Sequence, residues 1–181
     1  MAKMTSDYIA KLVATGEFAE VYRTAADLET FTIGVFLAVN KDQYVLATID
    51  DNNAFGGYDI GKLDSIISVV TLSEYVAEFE MPETKEVAPE LASTLHETLA
   101  SLVESRDLVT FVYDYQGIES WFGNLVQVDE ETILAQTYTE DGDADGLRLT
   151  RLRDLVRVET KNADIREFAT KIATATGNPQ R

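Results

Sequence analysis

The chain has no cysteine, one histidine, three prolines and no uninterrupted apolar run of membrane-spanning length. Each shortage removes a class of chemistry or architecture. Without cysteine there is no disulfide, no thiolate nucleophile and no thiolate metal site, and the composition fits a reducing compartment. The lone histidine, His96, cannot build a multi-histidine metal centre, and it has no cysteine with which to form a Cys–His pair. A spanning helix needs about 20 apolar residues in succession, which the chain lacks. Its first residues, MAKMTSDYIAKLVATGEF, hold no apolar core followed by a small-residue cleavage site. The expectation is a cytoplasmic protein with no membrane partner. No P-loop, no GxGxxG after a strand and no GxSxG is present, so neither a cofactor nor an enzymatic activity is expected.

Basic residues are scarce as well. Fifteen Lys+Arg stand against 32 Asp+Glu, for a net charge of −17. The deficit is shared, −8 over residues 1–80 and −9 over residues 81–181. Such a surface repels nucleic acid and anionic membranes at long range and attracts a cation or a basic protein face. It also serves solubility alone. The acidic balance favours a protein partner or self-association over nucleic acid.

What the chain does have is internal similarity. Residues 34–79 slide by 89 positions onto 123–168 with shared punctuation: Gly34 on Gly123, Val39 on Val128, Thr48 on Thr137, Gly57 on Gly146, Leu63 on Leu152, and Glu78-Phe79 on Glu167-Phe168. Between these identities apolar residues replace apolar ones, as in Phe36/Leu125, Tyr44/Ile133 and Ile67/Val156. Similarity at a fixed offset is the mark of a duplicated structural unit. The organisation expected is a first unit over 1–80, a short linker over 81–88, and a second unit over 89–181 with a C-terminal helix. So short a linker implies that the units pack together.

Within each unit the periodicities predict one helix and five strands. Ser6 is placed to cap a helix with Tyr8, Ile9, Leu12 and Val13 inward, stopped at Gly16. Strands follow near 17–22, 31–39, 43–50, 57–62 and 66–71, with a helical turn over 73–79. In the second unit Pro89 opens a helix carrying Leu91, Leu95, Leu99, Leu102 and Val103. Its strands are 108–115, 120–128, 132–139, 147–151 and 155–160, with turns at Gln116-Gly117 and 140–146. Asn162 caps a last helix with Ile165, Phe168, Ala169 and Ile172 at helical spacing, and residues 176–181 read as a frayed tail.

A helix followed by five short antiparallel strands, with FGNLVQVDEETILA (122–135) and LRLTRLRDLVRVE (147–159) as the best-defined stretches, resembles the SH3-like and Sm-like small β-barrels. First-unit counterparts are residues 33–46 and 58–70. The resemblance implies an α+β, mainly β fold: two tandem, strongly bent five-stranded barrels, with Gly34 and Gly123 permitting the bends. The RNA-binding Sm pattern carries Asp-x-x-Asn after the second strand and Arg-Gly near the fourth. Here the loops read Asn40-Lys41-Asp42-Gln43 and Asp129-Glu130-Glu131-Thr132, and Leu152 follows Arg151. Its base-stacking and phosphate positions are therefore not carried over.

Two constellations are candidates for a site. Asp141, Asp143 and Asp145 before Gly146 match the first half of an EF-hand calcium loop, but Leu152 occupies the twelfth position where a bidentate Glu is required. The segment is either a weak calcium site or an acidic hairpin loop. Arg148, Arg151, Arg153 and Arg157 concentrate half of the chain's arginines in ten residues. They form either a basic stripe for phosphates or an acidic peptide, or intramolecular pairs with Asp143, Asp145, Asp154 and Glu159. His96 reads as a helix-border residue. Trp121 and Phe122 read as core or as an exposed anchor. The function expected is a non-enzymatic binding or adaptor protein; the alternative is an Sm-like RNA-binding or RNA-regulatory protein using Arg148–Arg157.

Overall fold

The computed structural model describes residues 2–23, 31–50, 52–114 and 117–177. Gln116 of the expected turn, Tyr115 before it and residues 178–181 of the tail lie outside the described residues. The chain divides into two compact units, Met1–Leu95 and His96–Arg181. The class is α+β with antiparallel strands, and three α-helices occur among the described residues. None of them is long and apolar enough to cross a membrane.

The first unit runs α1 (Ala2–Thr15), β1 (Phe18–Tyr22), β2 (Thr32–Val39), β3 (Gln43–Ile49), β4 (Phe55–Lys62) and β5 (Ser68–Thr71). Its strand order is β5-β1-β2-β3-β4. Helix α1 ends where glycine permits it: Gly16 has φ +67 and donates its N–H to the Leu12 carbonyl, closing the helix at a conformation costly for residues with a Cβ. Ile9 and Leu12 bury the helix face against Ala19, Val21, Phe36, Tyr44, Leu46 and Leu63. Burying each such aliphatic side chain contributes about 1.5–3 kcal/mol. Tyr8, expected inward, is 40% exposed and bonds Thr71 through its hydroxyl. Ser6 lies inside α1 and is not its cap.

The second unit runs α2 (Leu95–Ser105), β6 (Leu108–Asp114), β7 (Ile118–Val128), β8 (Thr132–Tyr138), β9 (Ala144–Arg151), β10 (Leu155–Thr160) and α3 (Ala163–Ala175). The order of its strands is β10-β6-β7-β8-β9. The Asn162 side chain accepts the Ile165 N–H at 2.7 Å and caps α3. Phe168 of that helix stacks on Phe122 with centroids 4.4 Å apart.

The ladders of the two units correspond pair by pair. Gly34↔Thr48, Phe36↔Leu46 and Val39↔Tyr44 in the first have Gly123↔Thr137, Leu125↔Ala135 and Val128↔Ile133 in the second, with a register shift at the same place. The residues at those shifts, Leu37 and Val126, are both exposed. The β2–β3 turn is held by the Asn40 side chain, whose Oδ1 accepts from the Asp42 and Gln43 N–H groups. Asp129 does the same for Glu131 and Thr132. Those hydrogen bonds, the Glu131 N–H first, hold the Asp129 carboxyl below the usual carboxylate range.

Two expectations are corrected. The sheet is open and does not close into barrels: no ladder joins β4 to β5 or β9 to β10 among the described residues. After β4 and β9 a 3-10 turn, Leu63–Ser65 or Leu152–Asp154, redirects the chain, and the next strand ladders onto β1 or β6. Side chains bridge the open side instead, as the next subsection describes. The helix expected from Pro89 begins only at Leu95. Upstream, the Ala92 carbonyl is taken by two side-chain amides, Asn40 Nδ2 and Gln43 Nε2, each at 2.9 Å, and the Tyr58 hydroxyl donates to the Glu86 carbonyl. These tertiary bonds keep the segment out of the helix and override a helical periodicity that Leu91 shares.

Gly34 and Gly123 serve close approach. A Cβ on Gly34 would run into the Ala47 carbonyl, and one on Gly123 would sit 2.6 Å from the Gln136 carbonyl. Neither has a positive φ.

Candidate functional site

The open side is spanned differently in the two units. In the first, Arg23 follows β1 and its Nη2 meets Asp59 Oδ2 of β4 at 2.8 Å, with both side chains buried. Arg23 Nε also donates to the Tyr44 hydroxyl at 2.6 Å, and Nη1 to Thr32 Oγ1 at 2.7 Å. The Tyr44 ring packs so closely on Gly61 that a Cβ there would overlap it. Charge, phenol and ring fill the place.

In the second unit the residues 89 positions on are different. Tyr44, Leu46, Asp59 and Gly61 give way to Ile133, Ala135, Arg148 and Thr150. Tyr113 of β6 stands where Arg23 does, and its hydroxyl meets Thr150 Oγ1 of β9 at 2.5 Å. Beside this contact lies a cleft of about 280 Å³, lined in part by Tyr113, Glu119, Leu149, Arg151 and Asp154. Burial pushes the Tyr113 phenol up to about 12; the Thr150 hydrogen bond and the nearby Arg148 charge oppose that shift, and Asp154 adds to it.

Trp121 forms the floor beneath Arg148. Its ring stacks on Phe111 at 4.2 Å and lies parallel to Tyr113 at 6.0 Å. The Arg148 guanidinium sits 4.9 Å from the indole centroid, an arrangement stabilised by the ring quadrupole. Its Nη2 lies 3.6 Å from Glu119 Oε2, and both side chains are half exposed. The indole N–H is buried and has no hydrogen-bond partner among the described residues.

The four arginines do not form one stripe. Arg148 and Arg151 lie on β9 and Arg153 in the following 3-10 turn, whereas Arg157 lies on β10, at the other end of the unit's strand order. Arg151 and Arg153 reach the two oxygens of Asp154 at 2.6 and 3.5 Å. Arg157 holds Glu159 by two bonds, at 2.9 and 2.6 Å. Arg148 does stand opposite Leu147 and Leu149 across the strand, but the leucines are the solvated residues, at 62% and 66% exposure.

Asp141, Asp143 and Asp145 are exposed. Gly142 between them packs its backbone on Ile172 of α3 with φ +89. Among the described residues no group of three or more His, Asp or Glu side chains gathers as a metal would require. His96 is half-buried near the start of α2.

The buried Arg23–Asp59 pair was not anticipated. The only signal was Asp59 between Tyr58 and Ile60 in an otherwise uncharged strand interior. Comparison of the chain with protein-family models, with curated proteins and with solved structures gave no match.

Proposed function

We propose that the chain is a non-enzymatic binding protein whose second unit takes a carboxylate-bearing segment of a partner protein in the cleft between Tyr113 and Arg148. The observation that carries this reading is the state of Arg148. Its guanidinium is supported by an indole, half exposed, and held by Glu119 only at 3.6 Å. Exposed pairs of that kind contribute about 0–1 kcal/mol, so an incoming carboxylate exchanges with Glu119 at little cost. A planar guanidinium fixed over a ring presents its fork for a bidentate bond. Leu149 and Tyr113 supply apolar wall beside it.

The RNA reading has less support. Arg151, Arg153 and Arg157 already lie 2.6, 3.5 and 2.6 Å from carboxylates, and the net charge of −17 repels a polyanion. The same proposal takes the two units as copies of one ancestral unit; the matched ladders support it. One copy filled the place with a buried ion pair and the other left it open.

The test is capture from host lysate by wild-type and Arg148→Glu protein, with and without nuclease. A protein retained after nuclease by the wild type and lost from the variant supports the cleft. Equal retention by both overturns it, and RNA alone, lost on nuclease treatment, shifts the function to nucleic acid.

A further inference from the structure

The acidic turn and the arginines, read separately, lead to no site, but they lie on one strand. Strand β9 has a ladder neighbour on one side only, β8, and ends the strand order among the described residues. An edge of eight residues with exposed leucines is an invitation to further pairing unless it is blocked. ADGLRLTR has no proline and no lysine, and its one register shift falls at Asp145, which leaves Gly146 to Arg151 as a regular run.

The distribution of charge along this edge selects the occupant. From Asp143 to Asp154 three aspartates balance three arginines, on a chain of net charge −17. The acids Asp143 and Asp145 precede the leucines, and Arg151 and Arg153 follow them. We infer that β9 pairs antiparallel with β9 of a second copy, about a two-fold axis at Arg148.

In that register Leu147 stands opposite Leu149 of the second copy, and Leu149 opposite its Leu147. Cross-strand apolar pairs are the unit of sheet stabilisation. Further out, past the register shift at Asp145, the acidic end with Asp143 and Asp145 lies along the Arg151 and Arg153 end of the second copy. Each charge contact occurs twice by symmetry. A parallel arrangement in register would set acid on acid and arginine on arginine. The two Arg148 residues oppose each other at the axis, which costs stability, but each lies over its own Trp121 beside Glu119. Arg151 keeps its bond to Asp154 through Nε, and a guanidinium has further donors for a second carboxylate. The contact lies alongside the cleft, so two copies bring two clefts to one axis.

The absence of cysteine gives a direct test of register. Antiparallel partners stand about 4.5–5.5 Å apart at Cα, within the roughly 4.4–6.8 Å that a disulfide spans. Full-length Leu147→Cys and Leu149→Cys proteins, mixed under mild oxidation, are expected to give a covalent dimer faster than either alone. Arg148→Cys is expected to cross-link with itself. Sedimentation equilibrium gives the second measurement. Asp143→Arg/Asp145→Arg and Arg151→Asp/Arg153→Asp proteins are each expected to dimerise at least about tenfold more weakly than wild type, and a 1:1 mixture to recover association. Unchanged Trp121 emission confirms that these surface variants fold. A wild type that stays monomeric up to about 1 mM overturns the inference. So does cross-linking equal in the mixed and single-variant samples. Neither result bears on peptide capture by the cleft.

Discussion

Asp59 and Arg148 stand at the same place in their two units, one opposite Leu46 and the other opposite Ala135, yet they carry opposite charge and opposite exposure. Asp59 is closed against Arg23, while Arg148 faces solvent over an indole. A reversal of sign accompanies the change from a buried ion pair to a cation that lines a cleft.

The buried pair is expected to be worth more intact than either member alone. Asp59→Ala leaves the Arg23 guanidinium uncompensated and is expected to cost about 3–5 kcal/mol, as breaking one side of a buried pair does. Arg23→Met with Asp59→Leu is expected to cost less than the single change. Urea unfolding of the three proteins decides this, and additive costs would contradict it.

Tyr113 predicts a loss of stability in alkali. Its phenol titrates at about 12 in the fold against 10.0 unperturbed. Below about pH 10 both folded and unfolded states hold the proton. Between the two values the unfolded chain ionises first, so stability falls as pH rises, by about 2–3 kcal/mol in all. Tyr113→Phe is expected to flatten this slope in urea midpoints measured from pH 9 to about 12, leaving the smaller contributions of Tyr58 and Tyr138, which burial also raises.

Gly123→Ala places a methyl carbon 2.6 Å from the Gln136 carbonyl, a backbone atom with little freedom to withdraw. The expected cost is about 1–3 kcal/mol, the range for overpacking. Gly146→Ala is a useful contrast, because open space surrounds it and the cost comes from its φ of +102 alone. Thermal midpoints of both proteins separate steric overlap from backbone strain.

Trp121 is the only tryptophan and reports on Arg148. Arg148→Ala is expected to shift its emission to the red while changing stability by less than about 1 kcal/mol, since exposed cation–π and ion pairs are weak. An unchanged spectrum would show that the guanidinium does not cover the ring in solution.

Strands were legible in the sequence because alternation and turn residues act locally: residues 155–160 were placed without error, and Asn162 was recognised as a cap because its acceptor needs only the N–H three residues on. The beginning of α2 was not legible, because Asn40 and Gln43 decide it from some 50 residues away. Alternation in 147–151 set Arg148 apart from Leu147 and Leu149, as the strand does, without saying which of them is solvated. An apolar–polar pattern does not say which side is solvated when an edge strand exposes its leucines. The cleft itself was hidden, since Tyr113, Glu119, Thr132 and Arg148 come to it from four different strands.

The bonds from Asn40, Gln43 and Tyr58 to the stretch before α2 also bear on synthesis. A ribosome releases these three side chains before Glu86 and Ala92 emerge. The earlier sheet can therefore finish and fasten the following stretch while β6 to β10 are still unmade. Sequences this alike invite strand exchange between neighbours during folding. A tether formed in order of translation commits the early strands to one another and leaves the later ones only their own kin to find.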